Sequence, residues 1–342
     1  MKLILLPAVT GFGHISRCIA IAKAVNRLNH NVETSIIMSC CEEEVEYLLR
    51  SFKVKTAYYE NYEELKKIIE QEQESMMIVE DWVFFPYHLI DPKSFVYSLL
   101  VQPNLNYPKD RLEKADLLLS CSPAWYIDPQ LIPYQQKMVN CGPQLHLTEE
   151  QETLTKEESR RYLGIKPQEF VLTVLGGGGA YSLELYDLVA ESILSLKKTY
   201  KNLSVFFLVG PFASCYGIKP YQQKGIVKRC VLSTFPYLKA SDVIVSHGGY
   251  QTIMEALKTK TPAIFFPRNA EQEANLGLFS FPWFFRLKTL SVAEFLELLS
   301  KASAIKEELI PEKIINGAEQ SAKNIFQFLS MPFRRLDKVK LN

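Results

Sequence analysis

The chain carries no surplus of charge. Its 39 Lys and Arg residues nearly cancel 38 Asp and Glu, leaving a formal net charge of +1 over 342 residues. With no basic excess to neutralise a phosphate backbone, nucleic acid is not expected as a partner. No apolar run approaches the ~18 residues of a membrane span, which predicts a soluble protein. The opening MKLILLPAVTGFGH does not read as a signal peptide: its short apolar run flows into a glycine-rich turn, as a first buried strand does. CxxC pairs are also absent. The seven cysteines (Cys18, Cys40, Cys41, Cys121, Cys141, Cys215 and Cys230) form an odd set that fits reduced cytoplasmic thiols better than disulfides or a zinc site. No Gly-Lys-Ser/Thr triplet follows any glycine run, which excludes a nucleoside triphosphatase loop. Low-complexity segments are missing too.

What remains is an ordinary globular composition, 47% hydrophobic and 23% charged, in a chain longer than one core usually organises. Short apolar runs alternate with amphipathic segments, the pattern of an α/β fold with parallel sheets. Strands are expected at 2–6, 32–38, 54–58, 76–80, 95–101 and 116–121, with a helix over 14–28 whose face carries Ile15, Cys18, Ile19, Ala22 and Val25. The rhythm breaks at 139–143, before a polar stretch. It restarts with a capping box at Thr155 and Glu158, then strands at 170–175, 204–209, 227–232, 242–246 and 263–266. A last helix is expected over 311–329. These signals predict two Rossmann-like doubly wound parallel-sheet domains, 1–143 and 144–330, with an interdomain cleft for ligand and a basic tail at 331–342.

Each domain opens on a glycine-rich strand–helix turn. The first is Thr10-Gly11-Phe12-Gly13-His14-Ile15-Ser16-Arg17. A dinucleotide fingerprint would need a small residue resembling glycine at Ser16 and an acid closing the second strand, which instead ends Ile37-Met38-Ser39. His14 sits at a helix N-terminus, where the dipole disfavours imidazolium and suits a general base; the plainer role is a helix cap. The second turn holds Gly176, Gly177, Gly178 and Gly179, which allow close backbone approach to a phosphate. A third strand end reads Ser246-His247-Gly248-Gly249 and feeds a helix directly. Bare N–H groups and a dipole make it an anion site. One turn on, Glu255 can accept two hydrogen bonds from a vicinal diol such as a ribose.

The segment 246–275 also carries a resemblance. His247-Gly248-Gly249, Thr252, Glu255-Ala256, Pro267 and Gln272-x-x-Asn275 resemble the C-terminal signature of nucleotide-sugar glycosyltransferases of the GT-B fold, a group that includes the UDP-glycosyltransferases and MurG. The Gly-x-Gly-His-x-x-Arg start is similar to that of many MurG-like proteins, whose His is the candidate base. The resemblance implies a donor diphosphate on the loop 176–179 and on His247, Gly248, Gly249 and Thr252, with Glu255 on the ribose. It further implies Phe235 against the base and Glu271 with Gln272 at the transferred sugar, Glu replacing the commoner Asp. Asp81, at the end of the fourth strand, is assigned to orient His14 or an acceptor hydroxyl. Gly13, Arg17 and Trp82 are placed on the acceptor side, near the aromatics Phe84, Phe85, Tyr87, Trp125 and Tyr126, with Arg17 bracing either the site or an acceptor group.

The implied activity is metal-independent, inverting transfer of a sugar from a nucleotide-diphosphate donor to an acceptor hydroxyl. No Asp-x-Asp clamp is present and no cofactor is required. The alternatives are a MurG-like nucleotide-sugar hydrolase, a 2-epimerase and a non-catalytic nucleotide-sugar-binding subunit. The acceptor is expected to be a small molecule or lipid-linked, and the protein a cytoplasmic monomer or weak dimer. The aromatic run LFSFPWFFRLK (278–288) reads either as a buried strand or as a weak peripheral contact with the inner face of the plasma membrane.

Overall fold

The computed structural model describes residues 1–9, 11–39, 46, 49–51, 54–71, 76–81, 83, 95–177, 183–211, 219–310 and 314–330. The chain folds as two compact units: Met1–His146 together with the described residues from Ile314 onward, and Leu147–Lys313.

The first unit is built on seven strands: β1 (Lys2–Pro7), β2 (Glu33–Ser39), β3 (Lys55–Tyr59), β4 (Met76–Asp81), β5 (Phe95–Val101), β6 (Leu117–Ser120) and β7 (Met138–Asn140). They lie in the order β3-β2-β1-β4-β5-β6-β7, with every pairing parallel. Helices α1 (Phe12–Leu28), α2 (Tyr62–Glu70) and α3 (Lys109–Lys114) accompany it. Every residue of β4, β5 and β6 is buried, as strands covered on both faces must be. The strand ranges expected from the sequence are met within a residue or two; β7 is the addition. Its three residues, Met138-Val139-Asn140, are partly exposed at the sheet edge and too short to show a period.

The second unit holds β8 (Phe170–Leu175), β9 (Leu203–Val209), β10 (Ile226–Arg229), β11 (Val243–Ser246), β12 (Ala263–Phe265) and β13 (Phe284–Arg286) in the order β10-β9-β8-β11-β12-β13, again all parallel. Its helices are α4 (Glu149–Thr153), α5 (Lys156–Tyr162), α6 (Leu183–Thr199), α7 (Lys219–Gln222), α8 (Phe235–Ala240), α9 (Tyr250–Thr259), α10 (Ala270–Leu278) and α11 (Val292–Ser303). The capping box of Thr155 and Glu158 opens α5 as expected.

In both sheets the strand order reverses beside the first strand. The reversal falls between β1 and β4 in one unit and between β8 and β11 in the other. In an open parallel sheet the crevice at the carboxyl ends of such a strand pair is where ligand binds.

The last helix, α12 (Ala318–Leu329), differs from expectation in its allegiance. The sequence reading placed it in a second domain ending at 330, whereas it packs on α1 of the first unit. Its apolar stripe, with Ala322, Ile325 and Phe328 buried, announces burial but not the surface it covers. The return is fixed by polar contacts around residues 141–146. Asn316 exchanges hydrogen bonds with both backbone groups of Leu145 at 3.0 Å, and the N–H of Gly317 donates to the carbonyl of Pro143 at 2.7 Å. A Cβ on Gly317 would overlap the carbonyl oxygens of Cys141 and Gly142. Gly317→Ala is therefore expected to destabilise the protein by about 1–3 kcal/mol, measured by urea unfolding; wild-type stability in this variant would show that the approach is not required.

Candidate active site

At the first reversal point, β1 and β4 run side by side with Pro7 opposite Asp81, and α1 begins five residues after β1 ends. The first turn of α1 has no side-chain cap and no acidic residue. His14 and Arg17 stand three residues apart on that helix and so share a face. Both reach Asp81, the last residue of β4. Asp81 Oδ1 lies 2.8 Å from His14 Nδ1, while Arg17 donates from Nε to Oδ2 and from Nη2 to Oδ1, each at 3.0 Å. Burial alone would raise the carboxyl pKa, but the charge of Arg17, aided by His14, outweighs it and holds Asp81 below the usual carboxylate range. Arg17 is disfavoured by its own burial and stays ionised because Asp81 more than compensates.

Arg17 Nη2 also stands 2.7 Å from His14 Nδ1. A guanidinium only donates, so Nδ1 cannot serve both neighbours. With the hydrogen on Nδ1, donated to ionised Asp81, the lone pair rests on Nε2, the tautomer of a base. Side-chain exposure grades outward, from 0% at Asp81 and 2% at Arg17 to 15% at His14. The adjacent Glu80 points to the other face of the strand, where it accepts from the Tyr97 hydroxyl at 2.7 Å and pairs with Arg111 at 3.2 Å. Cys18 and Cys121 are fully buried, and burial pushes their thiols well up, so neither has nucleophilic character.

Of the two roles assigned to Arg17, bracing the site or an acceptor group, its burial and its bonds to Asp81 fit the first. Gly13 is the second residue of α1 and half-buried. Trp82, Phe84, Phe85 and Tyr87 lie outside the described residues.

At the second reversal point the loop after β8 faces the turn after β11. Gly176 does not present its N–H to a ligand: it donates to the Tyr186 hydroxyl at 2.8 Å, which in turn donates to the carbonyl of Leu208 at 2.7 Å. That correction comes from a buried tyrosine ten residues downstream. Gly177 is exposed with φ +74°, a conformation that favours glycine. Gly178 and Gly179 lie outside the described residues.

After β11, Gly248 takes φ +80° and Gly249 forms the N-cap of α9 without any side-chain cap. Thr252 is the third residue of that helix, and its first turn holds no acid, so no carboxylate of α9 itself competes for the opening amides at the positive dipole end. His247 is 4% exposed. Its Nδ1 donates to the carbonyl of Phe266 at 2.8 Å, and burial draws its pKa below the usual value. Glu255 is 9% exposed and accepts from the Thr234 hydroxyl at 3.0 Å; burial pushes its pKa up to about 7, against the lowering effect of Thr234 and Gln251.

Other expectations shift. Phe235 opens α8 with its ring 2% exposed, so it offers no face to a base. Gln272 accepts from the N–H of Arg268 at 2.8 Å while Asn269 accepts from the N–H of Gln272 at 2.9 Å. This reciprocal cap engages the amide oxygen assigned to a sugar. Glu271 is exposed on the same first turn of α10. The aromatic run 278–288 forms β13 and packs on itself: Phe281 stacks on Trp283 at 5.0 Å, Phe284 meets Phe265 edge-on at 5.1 Å, and Phe279, Trp283 and Leu287 are buried. The strand expected here is present but short and only partly buried, with Phe284 and Phe285 half-buried and Arg286 exposed. Among the described residues, no helix is long and apolar enough to cross a membrane, and no cluster of three or more His, Cys, Asp or Glu could hold a metal ion. Two residues at this edge went unnoticed in the sequence: Glu184 and Arg268, joined at 2.8 Å. A lone acid in the first turn of a helix gives no signal that distinguishes it from a solvated charge.

The chain is similar to several known proteins. The glycosyltransferase family 28 C-terminal domain matches residues 171–279. The UDP-N-acetylglucosamine--N-acetylmuramyl-(pentapeptide) pyrophosphoryl-undecaprenol N-acetylglucosamine transferase of Chlamydia trachomatis is 29% identical over 119 residues, 32% of this chain and 33% of that protein. The chain spans roughly a third of the length of the curated relatives it matches first. Among solved structures, the glycotransferase of kitacinnamycin superposes with a TM-score of 0.67 at 13% identity, covering 96% of this chain and 99% of that one. A UDP-GlcNAc 2-epimerase from Methanocaldococcus jannaschii gives 0.64 at 13% identity, covering 96% and 99%. Two parallel-sheet units of seven and six strands give this chain the GT-B fold.

Proposed function

We propose that this chain, a MurG-like protein of the GT-B fold with a family 28 C-terminal domain, transfers a sugar from a nucleotide-diphosphate donor to an acceptor hydroxyl. One observation carries the proposal: an uncapped helix N-terminus at the second reversal point, entered through Gly248 and Gly249, with a buried carboxylate, Glu255, one turn along the same helix. The amides receive the diphosphate and the carboxylate accepts from a ribose diol.

The first unit supplies the base. Asp81 fixes the His14 tautomer, and Nε2 takes the proton of the acceptor hydroxyl as its oxygen bonds to the anomeric carbon. The bond from that carbon to the diphosphate breaks, and the electron pair leaves with the phosphate oxygen, where main-chain amides stabilise the charge. A single displacement inverts the anomeric configuration. No metal is needed in this scheme.

The fold is shared with 2-epimerases and so does not separate the two activities. The family 28 match over 171–279 favours transfer. A thermal-shift panel of nucleotide-diphosphate sugars tests the proposal, since a ligand at a hundredfold excess over its Kd adds about 2.7 kcal/mol of stability. One donor class is expected to raise Tm, and incubation with acceptors should then give an inverted glycoside. Release of free sugar without acceptor would identify a hydrolase; a changed sugar on intact nucleotide would identify an epimerase. A flat panel would sink all three.

A further inference from the structure

At the carboxyl edge of the second sheet, three segments bring one charged cluster together. Glu184 is the second residue of α6, His247 follows β11, and Arg268 lies in the turn before α10. Arg268 Nε is 2.8 Å from Glu184 Oε1, and the same oxygen stands 3.8 Å from His247 Nε2. His247 is the residue that leads into Gly248 and Gly249, so a carboxylate oxygen stands beside the side chain at the entry of the turn assigned to a diphosphate. His247 itself is 96% buried, and its Nε2 has no hydrogen-bond partner. Because Nδ1 must donate to the Phe266 carbonyl, the neutral ring turns a lone pair toward the carboxylate, and no hydrogen bond joins them. Among the described residues, Glu184 is held by Arg268 and receives no hydrogen bond from His247.

That bond is of an exchangeable kind. The side chains of Glu184 and Arg268 are 29% and 36% exposed, and ion pairs of such exposure contribute little to stability. A diphosphate offers a guanidinium the same planar pair of oxygens as a carboxylate, with more charge. We propose that Arg268 is a diphosphate ligand held in reserve by Glu184: as a donor diphosphate reaches the amides of Gly248 and Gly249, Arg268 exchanges its carboxylate partner for a phosphate oxygen and Glu184 swings away. The inference rests on the second unit being the donor-binding one and adds to it a charged residue that neutralises the leaving diphosphate. Glu184 then acts as a selectivity element. It leaves Arg268 only for an anion that outcompetes a carboxylate, so singly charged anions are refused.

Titration calorimetry of the full chain with inorganic pyrophosphate, and in parallel with UDP, tests the exchange without dependence on the base or sugar. Arg268→Ala is expected to weaken pyrophosphate binding on the order of tenfold, with Arg268→Lys intermediate because it keeps charge but not the fork. Glu184→Gln is expected to tighten it by about three- to tenfold, since it removes both the competitor and a like charge. Melting temperatures without ligand should barely move in all three variants. If Arg268→Ala and Glu184→Gln leave pyrophosphate affinity unchanged and shift only the melting temperature, the pair is a loop brace and the inference fails. If pyrophosphate binds with the expected dependence on Arg268 but no nucleotide sugar binds, the exchange stands and the transferase proposal falls. If neither pyrophosphate nor any nucleotide sugar binds the wild-type chain, both fall.

Discussion

Replacing His14 by alanine is expected to lower turnover by about 10²-fold or more while leaving donor affinity nearly unchanged. The split follows from where the groups lie. The proposed base belongs to the first unit, whereas Gly248, Gly249, Thr252 and Glu255, the residues assigned to the donor, belong to the second and are unaltered when the imidazole is deleted. His14 is also the safe member of its cluster to alter, because it alone keeps part of its side chain accessible. Asp81 is not safe. Removing it would strand the buried Arg17 guanidinium without a counter-charge, at a cost of about 3–5 kcal/mol, and lost activity would then report lost fold. His14→Ala, by contrast, leaves the bidentate Arg17–Asp81 pair intact, and its Tm should stay close to that of the wild type. Steady-state kinetics at saturating donor, with donor binding measured separately, reads the effect. Wild-type turnover would remove His14 from the chemistry and leave it as a helix-end residue.

The architecture was legible because parallel strands buried on both faces read as apolar runs, and because glycine-rich turns mark strand–helix junctions. The residues after β1 and β11 stand out in the sequence for that reason, and Asp81 because it closes an apolar strand. What sequence patterns do not carry is the identity of partners. Gly176 sits in a run of glycines that reads as a phosphate cradle, yet its N–H is taken by Tyr186, ten residues on and indistinguishable from any core aromatic. Phe235 and Gln272 occupy signature positions, but one ring is buried and one amide oxygen caps its own helix. Arg17 could brace the site or an acceptor by its spacing alone, and its partner Asp81 lies 64 residues away in the chain. The amphipathic stripe of α12 announced burial without saying on which unit. The missing signals are all of one kind: a hydrogen bond or packing surface chosen by tertiary structure from several that local spacing allows.

The second large effect is expected at Glu255. Burial raises its folded-state pKa to about 7, against the ordinary 4.5 of an exposed Glu in the unfolded chain. Between those values the folded protein still holds the proton and the unfolded chain has lost it. Rising pH therefore favours unfolding: the contribution is fully present below about pH 4.5 and lost as pH passes through about 7. Fully expressed, the difference is worth about 3 kcal/mol. Glu255→Gln keeps the size and the bond from Thr234 but has no proton to lose. Relative to wild type, the variant is expected to gain stability progressively from acid to mildly alkaline pH, read from urea midpoints at pH 5 and pH 8.5. Binding should run the opposite way. An ionised carboxylate accepts both hydrogens of a ribose diol, whereas the protonated acid must use one oxygen as a donor. Nucleotide affinity should thus rise in wild type as pH crosses about 7, and Glu255→Gln should bind more weakly with that rise abolished. The same carboxylate then opposes folding and supports binding once ionised, the pattern expected of a group placed for ligand rather than for the core. Parallel stability curves for wild type and variant, together with pH-independent binding in both, would show that Glu255 does not titrate in this range.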